Sequence, residues 1–314
     1  MIAIKGTVLV TGATGFIGSA LSKKLVEMGC TVIGYDNLSA GRNKMLDSLG
    51  DGSKFRLVTG DILDGDALKS AITDNAVETV FHLAANPDVR IGIRNTRIDL
   101  DAGIIGTYNV LEAMRAGGAK NIIFTSSSTV YGNAPVQPTP ESYGPLMPVS
   151  LYGAAKLAAE GEITAYSKLF GFNFFIFRLA NVIGPTSGHG IIFDLAEKLK
   201  KDPTRLEVLG DGKQKKSYIE LDDCINAILH VCANAEHNDI YNIGIEDQIT
   251  AGEIAQAVRD RFAPHAEIVY TGGQVGWPGD IPVFLLSVDK LKKTGYSFKC
   301  RSSRDAVLST ISRL

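Results

Sequence analysis

Cysteine is scarce. Cys30, Cys224, Cys232 and Cys300 are scattered, with no C-x-x-C pair and no histidine at a zinc-binding spacing. That argues against a disulfide framework or a structural metal site and for a reduced, intracellular setting. An excess of charge of either sign is also missing. Lysine and arginine number 32 and aspartate and glutamate 34, a formal net charge of −2, so no overall basic field favours nucleic acid or anionic lipid. The two small basic clusters, "KLKK" (198–201) and "KQKK" (213–216), read first as solvated faces. No apolar run is long enough to span a bilayer: "FNFFIFRLANVIG" is interrupted by Arg178 and Asn181. The amino terminus enters an apolar strand at "GTVLVTG" without the charged start and cleavage site of a signal peptide. The expectation is a soluble, cytoplasmic protein with no metal site. At 45% hydrophobic and 21% charged residues over 314 positions, the chain has globular composition and length for one large domain with a lobe, or two modest domains.

What is present is alternation. Short runs rich in β-branched residues, at 7–11, 31–35, 55–58, 79–83, 121–126 and 173–178, alternate with helical patterns near 16–28, 64–73, 103–117 and 152–170. This predicts an α/β fold, a doubly wound parallel sheet of Rossmann type over residues 1–180, with helices on both faces. Ligands bind such sheets beyond the carboxyl ends of the strands, where the strand order reverses. After about residue 180 the pattern loosens, and residues 181–314 read mainly as a smaller lobe forming the other wall of a cleft. Segments near 215–245 are expected to return to the first domain.

In "VLVTGATGFIGSAL", Gly12, Gly15 and Gly18 follow the first strand and run into the first helix. A tight turn, close approach of backbone to a phosphate and close helix–strand packing each want a residue without Cβ, and the free N–H groups of the helix start then face a pyrophosphate. Asp36 ends the second strand, 18 residues beyond Gly18, where a ribose 2′-hydroxyl needs an acceptor and a 2′-phosphate would meet a negative charge. NAD is therefore favoured over NADP, with Arg42 close behind as the opposing feature. Asp61, in "TGDILD", is placed either to accept from an adenine amino group or to cap the next helix.

In "SLYGAAKLAAEGE", Tyr152 stands four residues before Lys156 at a helix start, on one helix face. Ser127 lies 25 residues before Tyr152, in "FTSSSTVYG", at the end of the strand that begins at 121. A tyrosine of ordinary pKa near 10 is a poor base at neutral pH; a neighbouring ammonium and a positively charged nicotinamide both favour the phenolate, and Ser127 would hold a reacting hydroxyl in line. His82 and His189 read as structural.

The glycine spacing, "VFHLAA", "SSSTVYG", Tyr-x-x-x-Lys, "RLANVIGP" and "WPGDIP" together resemble the extended short-chain dehydrogenase/reductases, and within them the UDP-glucose 4-epimerases and related nucleotide-sugar enzymes, over nearly the whole chain. The resemblance implies a catalytic set of Ser127, Tyr152 and Lys156. It implies NAD contacts at Gly12, Gly15, Phe16, Ile17, Gly18, Asp36, Asn37, Ser39, Gly41, Asp61, Ile62, Leu83, Ala84 and Ala85, as well as at Tyr152 and Lys156. Substrate contacts are implied at Ser127, Ser128, Thr129, Asn181, Lys216 and Asp280, with a UDP-hexose as the partner and a homodimer formed through the helices near 103–117 and 152–170. The 4,6-dehydratases carry an Asp-Glu pair where this chain has Ser128 and Thr129, which cannot relay a proton as acids, so hydride removal and return at C4 is the expected reaction. The chain departs from the family at three places. Lys216 and Trp277 stand where relatives carry phosphate-binding arginines, and Gly103 replaces an asparagine. An N-acetylhexosamine or uronate epimerase, a dehydratase, a decarboxylase, a net dehydrogenase and a non-catalytic NAD-binding protein stay open as alternatives.

Overall fold

Alternate residues of each strand run into two different apolar cores, and this fixes the layering. In the computed structural model, which describes residues 1–39, 46, 54–274 and 276–314, Val8, Val10, Phe81, Ile123, Phe175 and Phe177 are buried in one cluster. Leu9, Ile33, Val80, Ile122, Phe124 and Ile176 are buried in another. A strand with both faces covered reads as a continuous apolar run and belongs in a parallel sheet between helix layers. Gly41 and Arg42 lie outside the described residues.

Seven strands pair in parallel: β1 (Thr7–Thr11), β2 (Thr31–Asp36), β3 (Phe55–Thr59), β4 (Thr79–His82), β5 (Asn121–Ser127), β6 (Asn173–Leu179) and β7 (Asp239–Ile243), in the order β7-β6-β5-β4-β1-β2-β3. The order reverses between β1 and β4, the point where such sheets open a crevice. β7 is a late segment of the chain. Its register is set by Asn238, whose N–H donates to the Phe174 carbonyl (2.7 Å) and whose side chain accepts from Phe174 N (3.0 Å).

Helices α1 (Phe16–Glu27), α2 (Gly65–Thr73), α3 (Gly106–Gly117) and α4 (Leu151–Phe170) cover the sheet. Their ends follow local chemistry. Asp64 caps α2 by accepting from Ala67 N, Ser150 caps α4 by accepting from Gly153 N, and α3 and α4 stop at left-handed Gly118 and Gly171. The cap of α2 is Asp64, so the capping role considered for Asp61 is not its own. A π-helical stretch, Leu100–Ile105, leads into α3. Among the described residues no helix is long and apolar enough to cross a membrane.

His82 ties the layers together at the strand ends. Thr11 Oγ1 donates to His82 Nδ1 (2.8 Å), and the other ring nitrogen donates to Thr107 Oγ1 (3.0 Å), which in turn donates to the Gly103 carbonyl (2.6 Å). Burial first, and the Lys156 charge second, push the imidazole pKa down to about 3. The unfolded chain therefore binds a proton that the folded chain refuses between about pH 6.5 and 3, and stability falls as pH falls through that window. Urea titrations at pH 7 and pH 5 should show a loss on acidification that a His82→Gln variant shows less of. Equal pH dependence in both proteins would remove His82 from this role.

Candidate active site

The turn after β1 is built for close approach. Gly12 has φ of +70°, and a Cβ on Gly18 would stand 2.0 Å from the Gly12 carbonyl oxygen, a contact no side chain survives. The turn therefore brings the start of α1, whose first residues carry no side-chain cap, against the strand ends with its N–H groups available. Asp36 closes the other side. Its Oδ2 accepts from Thr14 N (2.9 Å) and its Oδ1 from Leu38 N (2.8 Å), so the carboxylate is held beside the glycine turn with lone pairs to spare for a diol. Asp61 accepts from Leu63 N (2.9 Å) and from the Asn37 side chain (2.9 Å), and Ser39 N donates to Asn37 Oδ1 (3.0 Å). The N–H groups of Leu83 and Ala84 both reach Thr11 Oγ1 at 3.2 Å.

α4 delivers Tyr152 and Lys156. Its amino terminus packs so closely on the turn after β5 that a Cβ on Gly153 would lie 2.8 Å from the Thr129 carbonyl oxygen, and Tyr152 and Ser127 line the same cleft. Ser127 Oγ accepts from Thr129 N (3.2 Å) and shapes the turn Ser128–Tyr131, while Thr129 Oγ1 is buried with no hydrogen-bond partner. Lys156 is 4% exposed, donates to the Thr125 carbonyl (2.7 Å), and sits 4.6 Å from the Phe124 ring centroid and 5.8 Å from that of Tyr152. Burial pulls its pKa down to about 7, opposed by Glu160 and Asp99. The Tyr152 phenol moves up from its ordinary value. Burial, and then the Asp99 carboxylate, push it up to about 12, since both disfavour the charged phenolate.

Beneath these residues lies a buried polar network. Arg178 grips Glu160 with two hydrogen bonds (3.0 and 2.7 Å), and Ser126 Oγ donates to the same carboxylate. Arg178 also donates to the Tyr131 hydroxyl (3.0 Å), which donates to Asn242 (2.7 Å). The strand end carrying Ser127 and the helix carrying Lys156 are thus fixed to one another.

All the sequence-predicted site residues that are described line one cleft of about 1160 Å³, from Gly12 and Asp36 at one end through Ser127, Tyr152 and Lys156 to Asn181, Lys216 and Asp280 at the other. At that far end Lys216 is ion-paired with Asp280, its Nζ is 5.1 Å from the Trp277 ring centroid, and Asn181 donates to the Ser217 carbonyl (3.2 Å). Gln214 Oε1 and Trp277 Nε1, an acceptor and a donor, are buried there without partners. Gln214 and the buried Asp99 escaped the sequence reading. Gln214 sits inside the "KQKK" cluster, which reads first as a solvated face, and only the folded chain places Asp99 within electrostatic reach of Tyr152 and Lys156.

A family described as the NAD dependent epimerase/dehydratase family matches residues 8–244. A UDP-glucose 4-epimerase of Mycolicibacterium smegmatis is 33% identical over 255 residues, 80% of each chain. A UDP-glucuronate 4-epimerase of Thermodesulfobacterium geofontis is 28% identical over 294 residues, 92% of this chain and 90% of the relative. A solved UDP-galactose 4-epimerase superposes with a TM-score of 0.85 at 36% identity, covering 98% of both chains. With a glycine turn, an acidic strand end and a Tyr-x-x-x-Lys helix meeting in one cleft, this chain belongs to the NAD dependent epimerase/dehydratase family.

Proposed function

We propose that the protein inverts C4 of a nucleotide sugar of the UDP-glucose/UDP-galactose type with NAD as a retained cofactor. One observation carries the reading: Ser127, Tyr152 and Lys156 line the cleft that also holds Gly12, Gly18 and Asp36, with the non-acidic Ser128 and Thr129 beside them. The residues suit the dinucleotide. The turn has N–H groups for a pyrophosphate, and Asp36 has free lone pairs for ribose hydroxyls. When bound, NAD supplies a reversible hydride acceptor and a positive ring that offsets the upward push on the Tyr152 phenol.

Tyr152, as phenolate, removes the proton from the sugar 4-hydroxyl as the C4 hydride departs; its charge is balanced by the Lys156 ammonium. Ser127 donates to the same sugar oxygen and orients it. The 4-keto sugar turns over about its phosphate link, Tyr152 returns the proton, and hydride comes back to the opposite face. No side chain at position 128 or 129 protonates a leaving C6 hydroxyl, so elimination has no acid. The lobe of residues 181–314 holds the nucleotide, with Lys216 facing the diphosphate as a point charge and Gln214 and Trp277 offering their unpaired polar atoms. We further propose a cytoplasmic homodimer through α3 and α4, where Tyr108, Leu169 and Phe170 are exposed.

Trp277 is the single tryptophan of the chain. Its emission should change on adding UDP or a UDP-sugar and stay unchanged with glucose alone; an unresponsive Trp277 would move the nucleotide elsewhere. The reaction is tested by proton NMR of products from UDP-glucose, UDP-galactose, UDP-N-acetylglucosamine and UDP-glucuronate. Inversion at C4 is expected, fastest with the unsubstituted hexoses. Failure to invert C4 in any donor would overturn the reading.

A further inference from the structure

Lys156 and Asp99 are buried and, among the described residues, have no ion-pair partner. Lys156 donates only to the Thr125 carbonyl and packs on the Phe124 ring. Asp99, 2% exposed, accepts from the Asn86 side chain through Oδ1 (3.0 Å) and leaves Oδ2 buried without a hydrogen bond. Oδ2 points at Gly92, where a built Cβ would lie 2.5 Å from it, and Gly92 in turn packs on the start of α4, its built Cβ 3.8 Å from Leu151 Cβ. One helical turn later on the same wall, a Cβ on Gly103 would meet Ala155 Cβ at 2.7 Å. The wall thus lies against α4 along the turn that carries Tyr152 and Lys156, and Gly103 has no room for a polar side chain of its own. The other acid near Lys156, Glu160, is committed to Arg178 and Ser126, and His82 is held neutral by burial and then by the Lys156 charge. The groups facing Lys156 are therefore Asp99, Glu160, His82, Tyr152 and the Phe124 ring.

A buried ammonium needs a counter-charge. We propose that ionised Asp99 is a positioning residue that keeps Lys156 protonated inside the dry site. The inference rests on reading Tyr152 and Lys156 as the reacting pair. The same carboxylate disfavours the Tyr152 phenolate, so the arrangement holds the phenol protonated until a cationic ring is alongside it.

The test is a titration of the whole protein without substrate, by carbon NMR of [6-13C]lysine and [4-13C]aspartate labels, with the Lys156 signal assigned by its loss in Lys156→Met. Asp99→Asn keeps the shape and the Asn86 hydrogen bond and should lower the Lys156 midpoint by about one pH unit. Asp99→Glu, which keeps the charge, should return it toward the original value. An unmoved Lys156 midpoint in Asp99→Asn overturns the proposal. So does an Asp99 carboxyl that is protonated at pH 7 in the unsubstituted protein, a measurement that needs no folded variant. A shifted midpoint in a protein that inverts no nucleotide sugar would support the pairing and refute the catalytic reading; turnover with an unmoved midpoint would do the reverse.

Discussion

Tyr152→Phe lowers turnover of the nucleotide sugar by about 10²–10⁴-fold, the range of a lost general acid–base, while the dinucleotide stays bound. The change removes one oxygen. Among the described residues the Tyr152 hydroxyl has no hydrogen-bond partner, and the ring faces the Lys156 ammonium from the first turn of α4, whose start is held by the Ser150 cap. Phenylalanine keeps the ring and that packing. The glycine turn and Asp36 lie at the other end of the cleft, so they are untouched. Dinucleotide released on denaturation and quantified by chromatography should match the unsubstituted protein within a factor of two or so, and product NMR should show the loss of rate. An active Phe variant would mean that the base lies elsewhere. Joint loss of cofactor and activity would make Tyr152 a binding residue.

Arg178→Met destabilises the fold by about 3–5 kcal/mol, because it strands a buried carboxylate. Glu160 and Arg178 side chains are only 5% and 4% exposed, and beyond Arg178 the carboxylate has a single further donor, Ser126. The Tyr131 hydroxyl loses a donor at the same time. Arg178→Met combined with Glu160→Leu should recover most of the loss, since two apolar side chains leave no uncompensated charge. Urea unfolding followed by circular dichroism measures both. A single variant within about 0.5 kcal/mol of the unsubstituted protein, or a double variant no better than the single, would contradict the assignment of this pair as the site's underlying brace.

The parts legible in the sequence are those governed by local rules. All six strands read from alternation appear, with β1 at 7–11 as expected and the others shifted by no more than one residue at their carboxyl ends. Both faces of a parallel sheet are apolar, and that signal needs no knowledge of the partner strand. The glycine turn, Asp36 and the Tyr152–Lys156 spacing were likewise visible, since each is a short-range requirement. Long-range register was not. That β7 begins at 239 depends on Asn238 pairing with Phe174, 64 positions away. The helical pattern expected from 103 starts its regular course only at Gly106, after a π-helical stretch, because Thr107 is drawn back to the Gly103 carbonyl and across to His82. Asp99 reads in sequence as one acid in "RIDLD"; its influence on Tyr152 and Lys156 exists only once the wall carrying it folds against α4.

On the proposed route a hydride leaves C4 and comes back to the other face of the same carbon. UDP-galactose carrying deuterium at C4, incubated with the protein in ordinary water, tests it directly by NMR and mass spectrometry. The expected product is UDP-glucose with the deuterium still on C4, with no release of free NADH at 340 nm; deuterium lost to solvent, or recovered only in uninverted sugar, would rule this route out.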